Sequence, residues 1–329
     1  FNDHGLLRYF YTGNVKLPGD YDYINEGRET STLHVESEDG IHFGDKEEII
    51  SFEKYPEEFT CHIRDPKVWK ENDKYFMVLG GRLKGDKGAV LVYESEDLKE
   101  WKFKHIITTP EAFGYMWECP DYFELDGKKF LSVSPQGLKR EEFRFQNIYQ
   151  SGYFPMKEDG SVDVNDFREW DMGFDFYAPQ SYEDEKHRRI LFGWLGNSKS
   201  EYPTDKNNWA HMLTLPREIR IEEERLVQQP VEELKQLRVN ERSITEYTKI
   251  EECSFEIEGN TEGAFSIEIG NTDGNRLTFN ADGEEYCLDR SGMTEVYAEK
   301  FGTIRYAKQL DKKQTVRVMV DHSSIEIFC

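Results

Sequence analysis

Three segments of the chain repeat one another, and no other feature limits its possible folds so tightly. "PKVWKENDKYFMVLGG" starts at Pro66, "PDYFELDGKKFLSVSPQG" at Pro120 and "PQSYEDEKHRRILFGWLG" at Pro179. Each runs from proline through a polar residue into an aromatic-containing strand, a polar turn, and an apolar strand ending at Gly or Pro. "FNDHGLLRYFYTGN" from Phe1 keeps only the turn and second strand of a fourth copy. Between these hairpins lies a second unit: "SEDGIHF" from Ser37, "SEDLKEW" from Ser95 and "DFREW" from Asp166. Two hairpins per repeat make a four-stranded sheet, and such sheets strung along a chain predict a β-propeller. The spacing exceeds the roughly 40–45 residues of WD40 repeats, and their signature is missing.

The rest of the chain agrees with an all-β reading. Apolar segments are short, rich in aromatic residues, and bounded by Asp, Asn or Gly. One stretch reads as helix, "PVEELKQLRV" from Pro230 to Val239, with Pro in the first turn and Val231, Leu234 and Leu237 at helical spacing. Beyond it, "CSFEIEG", "AFSIEIGN", "RLTFNADG", "TVRVMVD" and "SSIEIF" alternate apolar and polar residues, the pattern of a β-sandwich. The expected division is a propeller over 1–228, a linker helix over 229–240 and a sandwich over 241–329. A length of 329 residues exceeds one small core. The chain starts at Phe1 and stops within a strand pattern, so both ends are read as internal to a longer protein.

A net charge of −23 argues against nucleic acid or an anionic membrane as partner, since both need cationic surface. A phosphorylated substrate would need a local basic spot that net charge does not reveal. No apolar run approaches the length of a membrane span. The five cysteines are irregularly spaced, which fits a reducing compartment, the cytoplasm.

Aligning the repeats on their prolines brings out two acids. The preceding residues are Ile63-Arg64-Asp65, Trp117-Glu118-Cys119 and Phe176-Tyr177-Ala178. Equivalent positions of neighbouring blades come together at one end of a propeller, so Asp65 and Glu118 are expected to face one another. Arg64 would lie alongside, with Trp117, Phe176 and Tyr177 as the wall. Paired carboxylates on a rigid scaffold suit glycoside hydrolysis, in which one acts as a protonated general acid. Glu118, among aromatic neighbours, suits that role; Asp65, next to Arg64, is expected to stay ionised. Two structural ion pairs are the alternative.

The motifs "RDP" (Arg64 to Pro66) and "WECPD" (Trp117 to Asp121) resemble two signatures of glycoside hydrolase family 32. "FYTGN", "GFDFYAPQ", "GWLG", "WAHMLTLPRE" and "VDHSSIEIF" match further family segments in order over nearly the whole chain. The stretches "GNVKLPGDYDYINEGRETS" and "ECPDYFELDGKKFLSVSPQGL" look most like bacterial sucrose-6-phosphate hydrolases. The resemblance implies a five-bladed propeller, its first blade largely absent here, followed by a sandwich. It also implies a retaining mechanism through a fructosyl-enzyme. Glu118 would be the acid/base, Asp65 the transition-state stabiliser and Arg64 the residue orienting the pair. Trp117, Asp175, Phe176, Tyr177 and Gln180 would line the substrate site. The family nucleophile lies in an Asn-Asp-Pro-Asn-Gly motif that this chain lacks. "FNDHG" around Asp3 has no Pro and sits at a hairpin turn of the second blade, so the nucleophile is expected upstream of residue 1.

The eight histidines show no metal-ligand spacing, and no cofactor or metal is expected. His62 and His211 read as ordinary structural histidines. Asp273-Gly274 and Asp282-Gly283 read as hairpin turns. "RLKGDKG" from Arg82 reads as a solvated loop. The leading function is cleavage of sucrose 6-phosphate to glucose 6-phosphate and fructose. Hydrolysis of plain sucrose or fructan, and sugar binding without catalysis, are the alternatives. The sandwich could join a homodimer, bind sugar or only support the propeller.

Overall fold

The structure is a computed structural model that describes residues 1–311 and 313–329. Nearly all of its regular structure is antiparallel sheet. The first sheet holds β1 (Asn2–Asp3), β2 (Leu6–Lys16), β3 (Arg28–Ser37) and β4 (Glu47–Ile50) in sequence order. The second holds β5 (Phe59–Glu71), β6 (Lys74–Leu83), β7 (Lys87–Ser95) and β8 (Lys102–Ile107). The third holds β9 (Met116–Leu125), β10 (Lys128–Gln136), β11 (Gly152–Pro155) and β12 (Arg168–Glu169). The fourth contains β13 (Phe176–Glu183), β14 (Arg189–Leu195), β16 (Arg217–Glu222) and β17 (Arg225–Pro230), with β15 (Met212–Leu213) also paired to β14.

The repeat read from the sequence is therefore physical. Each of the three hairpin segments forms the first two strands of a sheet, and the beheaded copy forms β1 and β2. His4-Gly5, Asn72-Asp73 and Asp126-Gly127 all take positive φ at the hairpin tips, as tight two-residue turns require. The "SED" units close the turn between third and fourth strands. The Ser37 hydroxyl accepts from the Gly40 N–H, and that of Ser95 from the Leu98 N–H. Asp39 and Asp97 each accept from two further backbone N–H groups.

Three successive first strands share a distortion. Asp65, Cys119 and Ala178, each just before the repeat's proline, have φ of 61°, 47° and 50°. The pairing register shifts at this point in β5/β6 and β9/β10, which marks a β-bulge. Left-handed conformation at a non-glycine residue costs on the order of 1 kcal/mol or more and needs external support. That support comes from side chains. The N–H of Asp65 donates to Thr12 Oγ1 (3.0 Å), that of Cys119 to Asp65 Oδ2 (3.0 Å), and that of Ala178 to Ser151 Oγ (3.1 Å). Close approach of β6 to β9 requires Gly80, where a Cβ would sit 2.3 Å from the Trp117 carbonyl oxygen.

The chain divides into two compact units. One comprises Phe1–Arg140, Ile148–Asp171 and Tyr177–Gln180; the other comprises Glu141–Asn147, Met172–Phe176 and Ser181–Cys329. The second unit contains the two C-terminal sheets. β18 (Phe255–Glu262), β23 (Lys313–Val320) and β24 (Ile325–Phe328) form one. β19 (Phe265–Gly270), β20 (Arg276–Ala281), β21 (Glu285–Asp289) and β22 (Ile304–Lys308) form the other. Their core gathers Phe279, Ala281, Tyr286, Val316 and Val318. Asp273-Gly274 and Asp282-Gly283 lie in the turns joining β19, β20 and β21. A buried fork from Arg217 to Glu326 (2.6 and 3.0 Å) ties "LPRE" to "SSIEIF" within this unit.

The helix expected at Pro230 is not formed as such. Pro230 ends β17, and only Glu232–Leu237 turns, as a 3-10 helix. Val231 is buried but Leu237 is 75% exposed, so the apolar stripe has nothing to hold a longer α-helix. Among the described residues, no helix is long and apolar enough to cross a membrane.

Candidate active site

Strand alternation sorts the aligned residues into columns. Ile63, Trp117 and Phe176 point into packed interior and are 1%, 0% and 3% exposed. Arg64 and Tyr177, one residue on, both meet Glu118 directly. Arg64 Nε and Nη2 donate to Glu118 Oε1 at 2.9 and 2.6 Å. The Tyr177 hydroxyl donates to Glu118 Oε2 at 2.5 Å, and Gln136 Nε2 donates to the same oxygen at 2.5 Å. One repeat position thus supplies a guanidinium, a carboxylate and a phenol from the first strands of three successive sheets. Burial, then the Glu118 charge, pushes the Tyr177 phenol far up, so it remains a donor.

Asp65 reaches the same place through the bulge. Its Oδ2 accepts from the Cys119 N–H, so it is anchored on the residue following Glu118. Burial pushes its carboxyl up, against the lowering pull of the Cys119 N–H and Arg64, and the Glu118 charge adds to the rise. Arg64 spends its fork on Glu118 and comes only to 4.0 Å of Asp65, so burial outweighs its lowering pull on the Asp65 carboxyl. Burial and Asp65 also push the Cys119 thiol well above its ordinary range, which makes it a packing group and not a nucleophile.

His62 holds Arg64. Its Nδ1 accepts from Arg64 Nη1 at 2.7 Å, and its Nε2 meets the Tyr23 carbonyl at 3.1 Å. Burial, followed by Arg64, pushes the imidazole down to about 4. The ring is therefore neutral near pH 7, with Nδ1 as acceptor and Nε2–H as donor. His62 is thus more than the ordinary loop residue read from the sequence. Gln136 was not singled out there. Its signal was present, as the polar residue ending the strand opposite Met116, two before Glu118.

Three expected lining residues have other partners. Trp117 is wholly buried, donates its indole N–H to the Phe113 carbonyl (2.7 Å) and packs on Phe154; alternation turns it away from Glu118. Phe176 is buried for the same reason, against Gly193 and the Arg217 guanidinium in the second unit. Asp175, also in the second unit, accepts from Asn197 Nδ2 (3.0 Å) and the Tyr297 hydroxyl (2.9 Å). Gln180 donates to the Cys119 carbonyl (3.1 Å) and accepts from Lys67 Nζ (3.4 Å), which ties the β9 bulge to β13. Asp3 lies in the β1/β2 hairpin and accepts from Arg8 Nε at 3.0 Å. Among the described residues, no three His, Cys, Asp or Glu side chains gather as a metal-ligand set.

Comparison with known proteins gives this geometry a setting. Residues 1–230 match the glycosyl hydrolases family 32 N-terminal domain, and residues 219–329 match the family 32 C-terminal domain. A sucrose-6-phosphate hydrolase of Vibrio alginolyticus is 42% identical over 280 residues, covering 83% of this chain and 58% of the relative. That of Bacillus subtilis is 38% identical over 348 residues, covering 98% of this chain and 68% of the relative. The solved sucrose-6-phosphate hydrolase of Lactobacillus gasseri superposes with a TM-score of 0.89 at 25% identity, covering all of this chain and 70% of its own. This chain therefore spans 58 to 70% of the length of these proteins. The sheets are those of a β-propeller followed by a β-sandwich.

Proposed function

Because the chain belongs to glycosyl hydrolase family 32, we propose that it carries the acid/base half of a retaining β-fructofuranosidase that cleaves sucrose 6-phosphate to glucose 6-phosphate and fructose. The observation that carries this reading is the meeting of Arg64, Glu118 and Tyr177, with Asp65 anchored on the Cys119 N–H. The division into a propeller over 1–228, a linker over 229–240 and a sandwich over 241–329 is part of it. So is a cytoplasmic location, which suits five free cysteines.

Glu118 protonates the leaving glycosidic oxygen, then takes a proton from the incoming water. Its two oxygens are not equivalent. Oε1 faces only Arg64, which can donate but never accept, so that oxygen cannot carry the proton. Oε2 faces a hydroxyl, which can turn and accept, so the transferable proton resides on Oε2. Asp65 stabilises charge on the reacting fructose and holds its hydroxyls. Arg64, fixed by His62, keeps Glu118 in place. Asp3 is engaged by Arg8 in its hairpin and is assigned no nucleophilic role.

Tyr177→Phe removes the hydroxyl at Oε2 and leaves Gln136. The expected result is a fall in kcat of about tenfold with KM little changed, because the lost contact serves proton transfer more than sugar binding. An equal loss in KM would make Tyr177 a binding residue instead. The assay for the function is fructose release by the protein expressed from its complete reading frame. Sucrose 6-phosphate should turn over much faster than plain sucrose. Equal rates would favour the plain-sucrose or fructan reading, and release from neither would favour a sugar-binding protein.

A further inference from the structure

We propose that Arg28 and Arg82, gathered around His62 beside Arg64, form the subsite for a phosphate group on the leaving half of the substrate. This rests on the reading of the chain as a phospho-sugar hydrolase. Arg28 Nε and His62 Nε2 both reach the Tyr23 carbonyl, at 3.3 and 3.1 Å. His62 N–H donates to Thr60 Oγ1 (3.2 Å), and that hydroxyl donates to the Arg82 carbonyl (3.0 Å). Three strand ends and the loop between β2 and β3 therefore meet at one histidine, whose other nitrogen holds Arg64. The Arg82 guanidinium stacks on the Tyr115 ring at 4.8 Å. Arg64, held by His62 Nδ1 at 2.7 Å, donates to Glu118 Oε1 at 2.6 Å, which links this cluster to the acid.

Neither Arg28 nor Arg82 is bound to a buried carboxylate, in a chain of net charge −23. Arg64 is taken by Glu118. The hydrogen-bond partners of Arg28 are neutral, the Tyr23 carbonyl and Asn14 Oδ1 (3.2 Å). Asp22, nearby in the loop, is engaged by the N–H groups of Ile24 and Asn25. Arg82 is held by Asp86 (2.5 and 3.0 Å), whose side chain is 67% exposed and which a phosphate dianion would displace. Planar guanidinium forks match phosphate oxygens better than any other side chain. The loop is firmly built: Cys61 N–H donates to the Ile24 carbonyl at 2.8 Å, and Gly27, at φ 78°, leaves no room for a Cβ beside Tyr21. Arg82, read from the sequence as a solvated loop residue, has a side chain only 15% exposed.

The test compares kcat/KM for sucrose 6-phosphate and for sucrose in the parent, Arg28→Gln, Arg82→Gln and the double variant. Calorimetry follows glucose 6-phosphate against glucose. Each single variant should lower the ratio of the two kcat/KM values by about 10- to 100-fold, the worth of a charge-assisted contact. The double variant should bring the ratio near unity and lose glucose 6-phosphate binding, and Arg82→Lys should restore part of it. A double variant that keeps the parent's ratio overturns the subsite while leaving the proposed function intact. Equal losses for both sugars make the two arginines structural and overturn it as well. A parent with no preference between the sugars overturns the function and the subsite together.

Discussion

Glu118→Gln is expected to lower kcat on the natural sugar about 10³-fold while the protein stays folded. General acid–base groups contribute roughly 10² to 10⁴ in rate, and the neighbours of Glu118 tolerate the amide. Arg64 still donates to the remaining carbonyl oxygen. The new NH2 faces the Tyr177 hydroxyl, which can turn to accept, and the Gln136 amide, which can rotate to present its oxygen. The loss should shrink on fructosyl fluoride, whose leaving group needs little protonation. A structural ion pair would behave differently. Its loss would lower the melting temperature, leave the two substrates equally affected, and barely touch kcat. Near-normal turnover by the variant would remove Glu118 from the acid/base role.

The parts of this site that were legible in the sequence are those fixed by the repeat. Proline at a constant place set the register of three hairpins and brought Arg64, Asp65 and Glu118 together, although the reading faced Glu118 with Asp65 and left Tyr177 in the wall. Burial of the alternate column was the harder step. Trp117 and Phe176 adjoin the site in sequence, and adjacency suggested a wall. A strand sends neighbours to opposite faces, so both belong to the interior. The bulges were not visible at all. A left-handed Cys119 or Ala178 follows no residue preference, because these types rarely adopt that conformation without outside support. The pairing of Arg64 was also hidden. Sequence neighbours suggested Arg64 with Asp65, yet the bulge between them turns the Asp65 carboxylate toward the next strand and leaves the guanidinium to Glu118. His62 and Gln136 are polar residues at strand ends, and such residues are too common to single out before the strands are placed.

Asp65→Asn is expected to make the protein more stable and far less active. Burial raises the Asp65 carboxyl, so its ionised form is the costly one in the native state. In the unfolded chain the group ionises near the ordinary Asp value of about 3.9. The folded protein releases that proton only at higher pH. The cost is therefore present in full above the raised native value and is gone once pH falls below the unfolded one. Asparagine removes the charge but keeps an oxygen for the Cys119 N–H, so the bulge retains its support. The variant should melt above the parent at pH 7, by on the order of 1 kcal/mol, the usual gain when a strained site is relieved. The difference should close as pH approaches 3. Activity should move the other way. Losing a charge aimed at a developing cation lowers kcat by about 10²- to 10³-fold. The acidic limb of the parent's pH–rate profile should also lie above the ordinary Asp range, because Asp65 must be ionised to act. Thermal melts from pH 3 to 8, run beside the kinetics, separate the outcomes. A variant less stable than its parent at every pH would make Asp65 a scaffold residue whose loss of activity is only the loss of the bulge.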